Sequence, residues 1–208
     1  MQGKYCQNPK CCKNGIPFRQ LCFTIYDKAI LNSCNRFSCG NEDLDNFFLE
    51  DAFLQSDQLL CKNYCFIKEV TSDIVCSFTL SNDSIKNVPN ARKKKIEKDI
   101  PHTKHYSSYP AVMIGRLGVN EKYQDKHIGS EVIDFIKAWF VDPQNKTGCR
   151  FLLVDSYNNK SNFHFYQVNN GFQFLFGSES QEKEYRKILP ENDIHTRLMY
   201  FDLIELAR

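Results

Sequence analysis

The sequence predicts a mixed α/β domain: one sheet with helices on both of its faces. Three observations carry this. An apolar run from Met113 to Val119 has strand character, breaks into a polar turn over Asn120 to His127, and resumes as a helix. In that helix Ile128, Val132, Ile133, Ile136, Trp139 and Phe140 fall on one side, the spacing of a core-facing helix. Two strand-like runs, Tyr64 to Val70 and Ile74 to Leu80, flank Thr71-Ser72-Asp73 as a hairpin. Strand and helix patterns then alternate along the chain, which calls for a layered α/β arrangement.

Residues 1–17 are polar, carry Gly15 and Pro17, and read as an N-terminal arm ahead of a single domain over 18–208. Leu21 to Tyr26 alternates as a strand does. Asn41 is a helix N-cap candidate, with Leu44, Phe47, Phe48, Ala52 and Leu59 recurring near helical spacing behind it. Residues 81–110 are too polar for core and predict a short helix over 91–98 followed by a loop. Beyond a linker from Asp142 to Gly148, Phe151 to Val154 is a short central strand. Residues 160–168 predict a helix, Asn169-Asn170-Gly171 its closing turn, and Phe172 to Phe176 a strand. Arg197 to Leu206 predicts the last strand, with Leu198, Tyr200 and Asp202 on one face.

The 208 residues suffice for one domain with its own core, and the composition, 25% charged and 42% hydrophobic, is that of an ordinary globular protein. A net charge of +2 means that any affinity for nucleic acid must come from a local patch. No apolar run approaches the ~20 residues of a membrane span. The first residues lack the apolar stretch of a signal peptide, so the expected location is cytoplasmic. Of the ten cysteines, Cys22, Cys65, Cys76 and Cys149 lie in apolar runs, where a reduced thiol packs as a small hydrophobe. Cys6, Cys11 and Cys12 form a tighter group whose spacing is not that of a usual zinc site, so no metal is expected.

A strand that feeds a turn and then a helix N-terminus makes an anion site, because unpaired amides converge there and the helix dipole favours negative charge. Neither GxxxxGK[ST] nor GxGxxG is present, so the phosphate-binding loop and the dinucleotide fold have no support. What is present is Gln124-Asp125-Lys126-His127-Ile128-Gly129-Ser130, preceded by Arg116-Leu117-Gly118-Val119. This resembles the coenzyme A site of the GNAT acetyltransferase superfamily, whose signature is R/Q-x-x-G-x-G/A. Gln124 fills its first place and Gly129 its last. His127 stands where the middle glycine is usual, putting a Cβ where glycine gives freedom. Phe37-Ser38-Cys39-Gly40, followed by Leu44-Asp45 and a helix, resembles the opening of one branch of that superfamily, the tRNA-acetylating toxins.

The resemblance spans Leu21 to Leu206 and implies a GNAT-like, mostly antiparallel sheet. Its central strands, ending at Val119 and Val154, would part to admit the pantetheine arm of acetyl-CoA. It implies that backbone groups of Leu117, Gly118 and Val119 pair with that arm, the Val119 N–H serving the developing oxyanion. Amides of Gln124, Asp125, Lys126, His127, Ile128, Gly129 and Ser130 would hold the pyrophosphate, and Asn159 matches an asparagine that contacts the cofactor. Phe165-Tyr166-x4-Gly171-Phe172 resembles the family's FY…GF element, with four residues between Tyr166 and Gly171 where three are commoner. Tyr166 is then the proton donor to the leaving thiolate: a phenol of pKa ~10 keeps its proton at neutral pH, and the thiol it would form has a pKa near ~8.5. No protein base stands out among His102, His105 and His164, and the amine of an aminoacyl ester needs little help.

Arg92, Lys93, Lys94 and Lys95 are either a solvated face or a patch giving sequence-blind affinity for RNA phosphates. The expected activity is N-acetylation of a primary amine, with aminoacyl-tRNA the acceptor favoured by the toxin-like opening. A small DNA-binding antitoxin and a second copy of the chain are candidate partners, and no membrane is expected. Two alternatives stay open: the same chemistry on a protein or small-molecule amine, and a coenzyme A-binding module without catalysis.

Overall fold

A computed structural model of the chain describes residues 20–86, 93, 94, 96, 97, 100, 101 and 106–207. The seven strands are β1 (Cys22–Ile25), β2 (Lys62–Lys68), β3 (Asp73–Lys86), β4 (Ser108–Val119), β5 (Phe151–Tyr157), β6 (Gln173–Phe174) and β7 (Thr196–Asp202). They form one sheet in the order β1-β2-β3-β4-β5-β7-β6. The β1–β2, β2–β3, β5–β7 and β6–β7 pairs are antiparallel, and β4–β5 is parallel. The β4–β5 ladder ends at Ile114–Val154, although β4 continues to Val119 and β5 to Tyr157. The helices are α1 (Lys28–Ser33), α2 (Glu42–Asn46), α3 (Ala52–Asp57), α4 (Ile128–Val141), α5 (Lys160–Phe163) and α6 (Glu179–Arg186). Two π-helical segments, Phe47–Asp51 and His164–Asn169, join α2 to α3 and extend α5.

The described residues fall into two compact units, one up to Leu80 together with Arg116–Val132, the other Ser81–Gly115 with Ile133–Arg208. In the first, the core is aromatic: Tyr26, Phe37, Phe47, Phe48 and Phe53 pack with Cys65, Ile67 and Ile74. Asn41 caps α2 as its sequence position predicts, its side chain accepting from the Leu44 N–H at 3.1 Å. The following π turn leaves carbonyls without their usual i+4 partners. Buried side chains reach the backbone there: the Tyr26 hydroxyl donates to Phe48 O at 2.9 Å and Asn63 Nδ2 to Ala52 O.

The second core gathers Ile85, Ile96, Tyr109, Phe151, Leu153, Leu175, Phe176 and Tyr200. Residues 81–110 thus contribute to the core, contrary to the expectation from their polarity. β3 runs on to Lys86, and Ile85 and Ile96 are buried singly between polar or charged neighbours, while Tyr109 follows two serines at the start of β4. The strand expected at Phe172–Phe176 shortens to Gln173–Phe174, and the last strand ends at Asp202, where the Asp202 side chain caps a 3-10 turn. Cys22 lies exposed on β1 rather than packed, whereas Cys65 and Cys76 are buried. The residues of the N-terminal arm, with Cys6, Cys11 and Cys12, lie outside the described set.

Helix α6 is capped by Ser178, whose side chain accepts from the Gln181 N–H at 3.3 Å. It delivers Glu182 into the interior with no exposed surface. That carboxylate accepts from Arg197 Nε at 2.7 Å, from Arg186 at 2.7 Å and from the Leu198 N–H at 2.6 Å. Arg186 then forks onto Asp155 of β5 at 2.7 and 3.1 Å. Removing one partner of a buried ion group strands the other, which costs on the order of 3–5 kcal/mol. Glu182→Gln is expected to lower unfolding stability by about 3 kcal/mol, read from urea denaturation, and to leave the denaturant slope unchanged.

Candidate functional site

The turn between β4 and α4 is built on an irregularity in the neighbouring hairpin. Pairing between β2 and β3 shifts at Phe66/Ile67, which leaves Val75 as the extra residue of a bulge. The Asn120 N–H donates to Val75 O at 2.9 Å, and Asn120 Nδ2 to Ile74 O at 3.0 Å. Asn120 is buried and also caps the 3-10 turn Glu121–Tyr123, accepting from the Lys122 N–H at 3.1 Å. A second anchor lies under that turn. The Tyr123 hydroxyl donates to Asp73 Oδ2 at 2.7 Å, while Asn35 and Lys122 reach Asp73 Oδ1 at 3.0 and 3.2 Å. These donors, Tyr123 first, hold the Asp73 carboxyl far below the usual carboxylate range.

From the other side the Phe-Ser-Cys-Gly segment clasps the same turn. Gln124 Nε2 donates to Cys39 O at 2.8 Å and to Val119 O at 3.0 Å. The Glu121 N–H donates to Ser38 O at 2.9 Å, and Ser38 Oγ to Glu121 Oε2 at 3.0 Å. Asp45 fixes the clasp, accepting from the Cys39 N–H at 2.7 Å and from Ser38 Oγ at 2.8 Å. Gly40 has φ +76°, and a Cβ there would lie 3.0 Å from Glu121 Oε1. A Cβ on Gly118 would lie 3.2 Å from the Phe37 ring. The motif singled out in the sequence as Phe37–Gly40 is therefore a brace against the end of β4. Burial, and then its bond to Asp45, pushes the Cys39 thiol up to about 12, so it stays protonated and unreactive.

Held on both sides, the chain turns through Asp125 at φ +57° and His127 at φ +60° before entering α4. Both are non-glycine residues in the left-handed region, which costs roughly 1–2 kcal/mol for an L-residue. The first intrahelical bond is from the Ser130 N–H to His127 O at 3.1 Å, so the amides of Ile128 and Gly129 precede the helical ladder. Lys126 Nζ donates to Lys122 O at 2.8 Å and lies 5.3 Å from the Tyr123 ring centroid, which fixes a positive charge beside the turn. Leu117 and Val119 are half-buried and Gly118 is in β4 beside the brace. Gln124, expected to contribute an amide, turns its N–H back to Glu121 O at 3.4 Å, and its side chain ties Val119 to Cys39. Arg116 sets its guanidinium over the Phe47 ring at 5.2 Å.

Tyr166 lies in the π segment His164–Asn169. The extra residue between Tyr166 and Gly171 is taken up by this widened turn. The segment closes through Gly171 N–H to Gln167 O at 3.1 Å and Phe172 N–H to Tyr166 O at 2.9 Å, with Gly171 at φ +71°. The Tyr166 ring meets Phe165 and Phe172 edge-on, at 4.9 and 5.5 Å between centroids. Burial pushes its phenol up to about 12. Asn159 is the N-cap of α5, accepting from the Asn162 N–H at 2.9 Å. His164 is exposed on the π segment.

Lys93 and Lys94 are exposed, and Lys93 sits 3.9 Å from Glu97. Arg92, Lys95, His102 and His105 lie outside the described residues. Among the described residues no cluster of His, Cys, Asp and Glu could hold a metal ion, and no helix is long and apolar enough to cross a membrane. Sequence reading missed Asp73, Asn120 and Asp45 as supports of the turn. The Ser38-to-Asp45 spacing around an N-cap was the visible signal for one of them; the other two act across long sequence separations.

No protein-family model and no curated protein matches the sequence. Solved structures do match. AtaT complexed with acetyl-methionyl-tRNAfMet is 19% identical with a TM-score of 0.65, the match covering 89% of this chain and 96% of that one. AtaTR bound with AcCoA is 19% identical at a TM-score of 0.64, covering 90% and 96%. The KacTA–DNA complex is 19% identical at 0.62, covering 90% and 96%. The chain shares their fold, the GNAT-like one that the sequence resemblance implied.

The left-handed residues give a direct test of the turn. His127→Gly removes the Cβ penalty at φ +60° but adds freedom to the unfolded chain. The expected net gain is roughly 1 kcal/mol in urea unfolding, whereas His127→Val, β-branched at the same φ, is expected to lose stability.

Proposed function

We propose that this chain transfers the acetyl group of acetyl-CoA to the amine of an aminoacyl-tRNA. The observation that carries the reading is the braced turn over Gln124–His127, which ends in the open amides of a fourteen-residue helix, α4. Fixed donors at a helix mouth, with Lys126 beside them, suit a diphosphate. The fold shared with AtaT in complex with acetyl-methionyl-tRNAfMet and with AtaTR bound to AcCoA supports both the cofactor and the acceptor. The AtaT structure bound to the C-terminus of the antitoxin AtaR supports an antitoxin partner.

Bound acetyl-CoA would supply an acyl carbon already activated as a thioester. The chain's own residues do the rest. Amides from Asp125 to Gly129, ahead of the helical ladder, bind the diphosphate, and backbone groups of Leu117, Gly118 and Val119 orient the pantetheine arm. The Val119 N–H is assigned to the carbonyl oxygen, where a single oxyanion donor is worth about 10²–10³ in rate. Tyr166 Oη holds its proton throughout the neutral range and gives it to the departing sulfur. Its raised pKa keeps the phenol in its acid form until the thiolate departs, and the phenolate left behind is a strong enough base to take up the proton that the acetylated amine loses.

The test is acetylation of charged tRNAs with release of free thiol. Tyr166→Phe is expected to lower turnover by about 10²–10⁴, the usual span for general acid catalysis, while acetyl-CoA affinity measured by calorimetry stays the same. A protein that releases no thiol with any amine overturns the reading. Lys93→Glu combined with Lys94→Glu is expected to weaken tRNA binding and flatten its salt dependence, with cofactor affinity unaltered. Unchanged salt dependence removes these lysines from the RNA surface.

A further inference from the structure

Lys137 of α4 is a charged residue almost wholly withdrawn from water, with 7% of its surface exposed. Burial works against its ammonium form and lowers its pKa, and only Asp134 and Glu205 act in the opposite direction. An apolar side chain would pack there without that penalty. The ammonium does something that a hydrocarbon cannot: it donates to Asn170 O at 2.9 Å. Asn170 is the C-cap of the π segment, so a cation sits where helical carbonyls lack partners and the dipole is negative. Its other neighbours are the Phe201 ring at 4.2 Å, the Phe172 ring at 6.0 Å and Asp134 Oδ1 at 3.4 Å.

From Asn170 two short routes lead to Tyr166. Asn170 Nδ2 donates to Phe165 O at 2.7 Å, fixing the residue just before the tyrosine. The Phe172 N–H bonds Tyr166 O at 2.9 Å, and the Phe172 ring meets the Tyr166 ring edge-on at 5.5 Å. A π turn is less constrained than an α turn, because its hydrogen bonds span one more residue. It needs an outside contact to define where its side chains point. We infer that Lys137 is a positioning residue for Tyr166, setting the aim of the phenol by gripping the closing turn of the π segment through Asn170. The inference rests on the reading of Tyr166 as proton donor.

The experiment pairs an activity measurement with one that needs no turnover. Lys137→Met keeps length and apolar bulk and removes the ammonium. In protein carrying 13C-labelled tyrosine rings, the Tyr166 signal is identified by its loss in Tyr166→Phe. Lys137→Met is expected to shift and broaden that signal. It should also lower kcat by about tenfold to a hundredfold, as a misplaced reacting group does, with KM for acetyl-CoA within about twofold. Lys137→Arg, which keeps a cation at the turn, should restore part of the loss. In the Tyr166→Phe background Lys137→Met should have almost no further effect, since coupled residues are non-additive. An unmoved Tyr166 signal, or an equal loss of kcat in both backgrounds, overturns the inference. If Tyr166→Phe turns over as the parent does, the catalytic reading fails separately, and the NMR signal alone decides the positioning. Should Lys137→Met not fold, Lys137→Gln, which removes the ammonium but keeps a polar end, is expected to give the same pair of changes and decides in its place.

Discussion

The bulge at Val75 is the constraint from which the candidate cofactor turn follows. By adding one residue to β3 it turns a carbonyl out of the β2–β3 ladder, and Asn120 takes that carbonyl as the chain leaves β4. A buried asparagine making two backbone and two side-chain bonds is expensive to replace, since each polar group orphaned by loss of its side chain costs about 1–3 kcal/mol. It fixes the direction of the 3-10 turn, which in turn fixes where Tyr123 meets Asp73 and where Gln124 reaches the Cys39 carbonyl. The turn over Gln124–His127 is therefore specified by hydrogen bonds to residues far away in sequence, and only its last step by the residues of the turn itself.

The same economy governs the segment that carries Tyr166. A widened helical turn absorbs one residue more than the commoner spacing, and its end is defined by a glycine at positive φ, a capping asparagine and a buried cation. Lys137 bonds the Asn170 carbonyl and Asn170 the Phe165 carbonyl, so both act on the backbone around the tyrosine, which can direct a side chain without engaging its hydroxyl.

Much of this was legible in the sequence, for physical reasons that can be named. The amphipathic period of Ile128 to Phe140 fixed a helix, and the hairpin around Thr71–Asp73 was marked by its polar turn. The irregular spacing from Tyr166 to Gly171 was visible as a departure, and the π turn is its structural form. Other parts were hidden. Ile85 and Ile96 are single apolar residues among polar and charged ones, so their local sequence does not show that each is buried. Glu182 stands in Ser178-Glu179-Ser180-Gln181-Glu182-Lys183, which reads as a solvated face. It is interior only because Arg197 arrives from β7. Pairing of buried charges is a tertiary fact, and periodicity carries no trace of it. The capping pattern of Ser178 and Gln181 was the one local sign that a helix begins there.

Asp125 and His127 hold left-handed backbone without glycine, and each costs stability that the turn alone cannot return. The first compact unit offsets this with the Asp73 cluster, the Asn120 bonds and the clasp from Ser38 to Asp45, all charge-assisted or buried. A flexible glycine at 127 would be cheaper for folding but would leave the amides ahead of α4 free to sample many directions. A histidine locked at φ +60° by its surroundings offers fewer alternatives. On this argument histidine rather than glycine at 127 trades folding stability for a turn whose amides are already directed, and donors fixed in place would lose less entropy on meeting an anion.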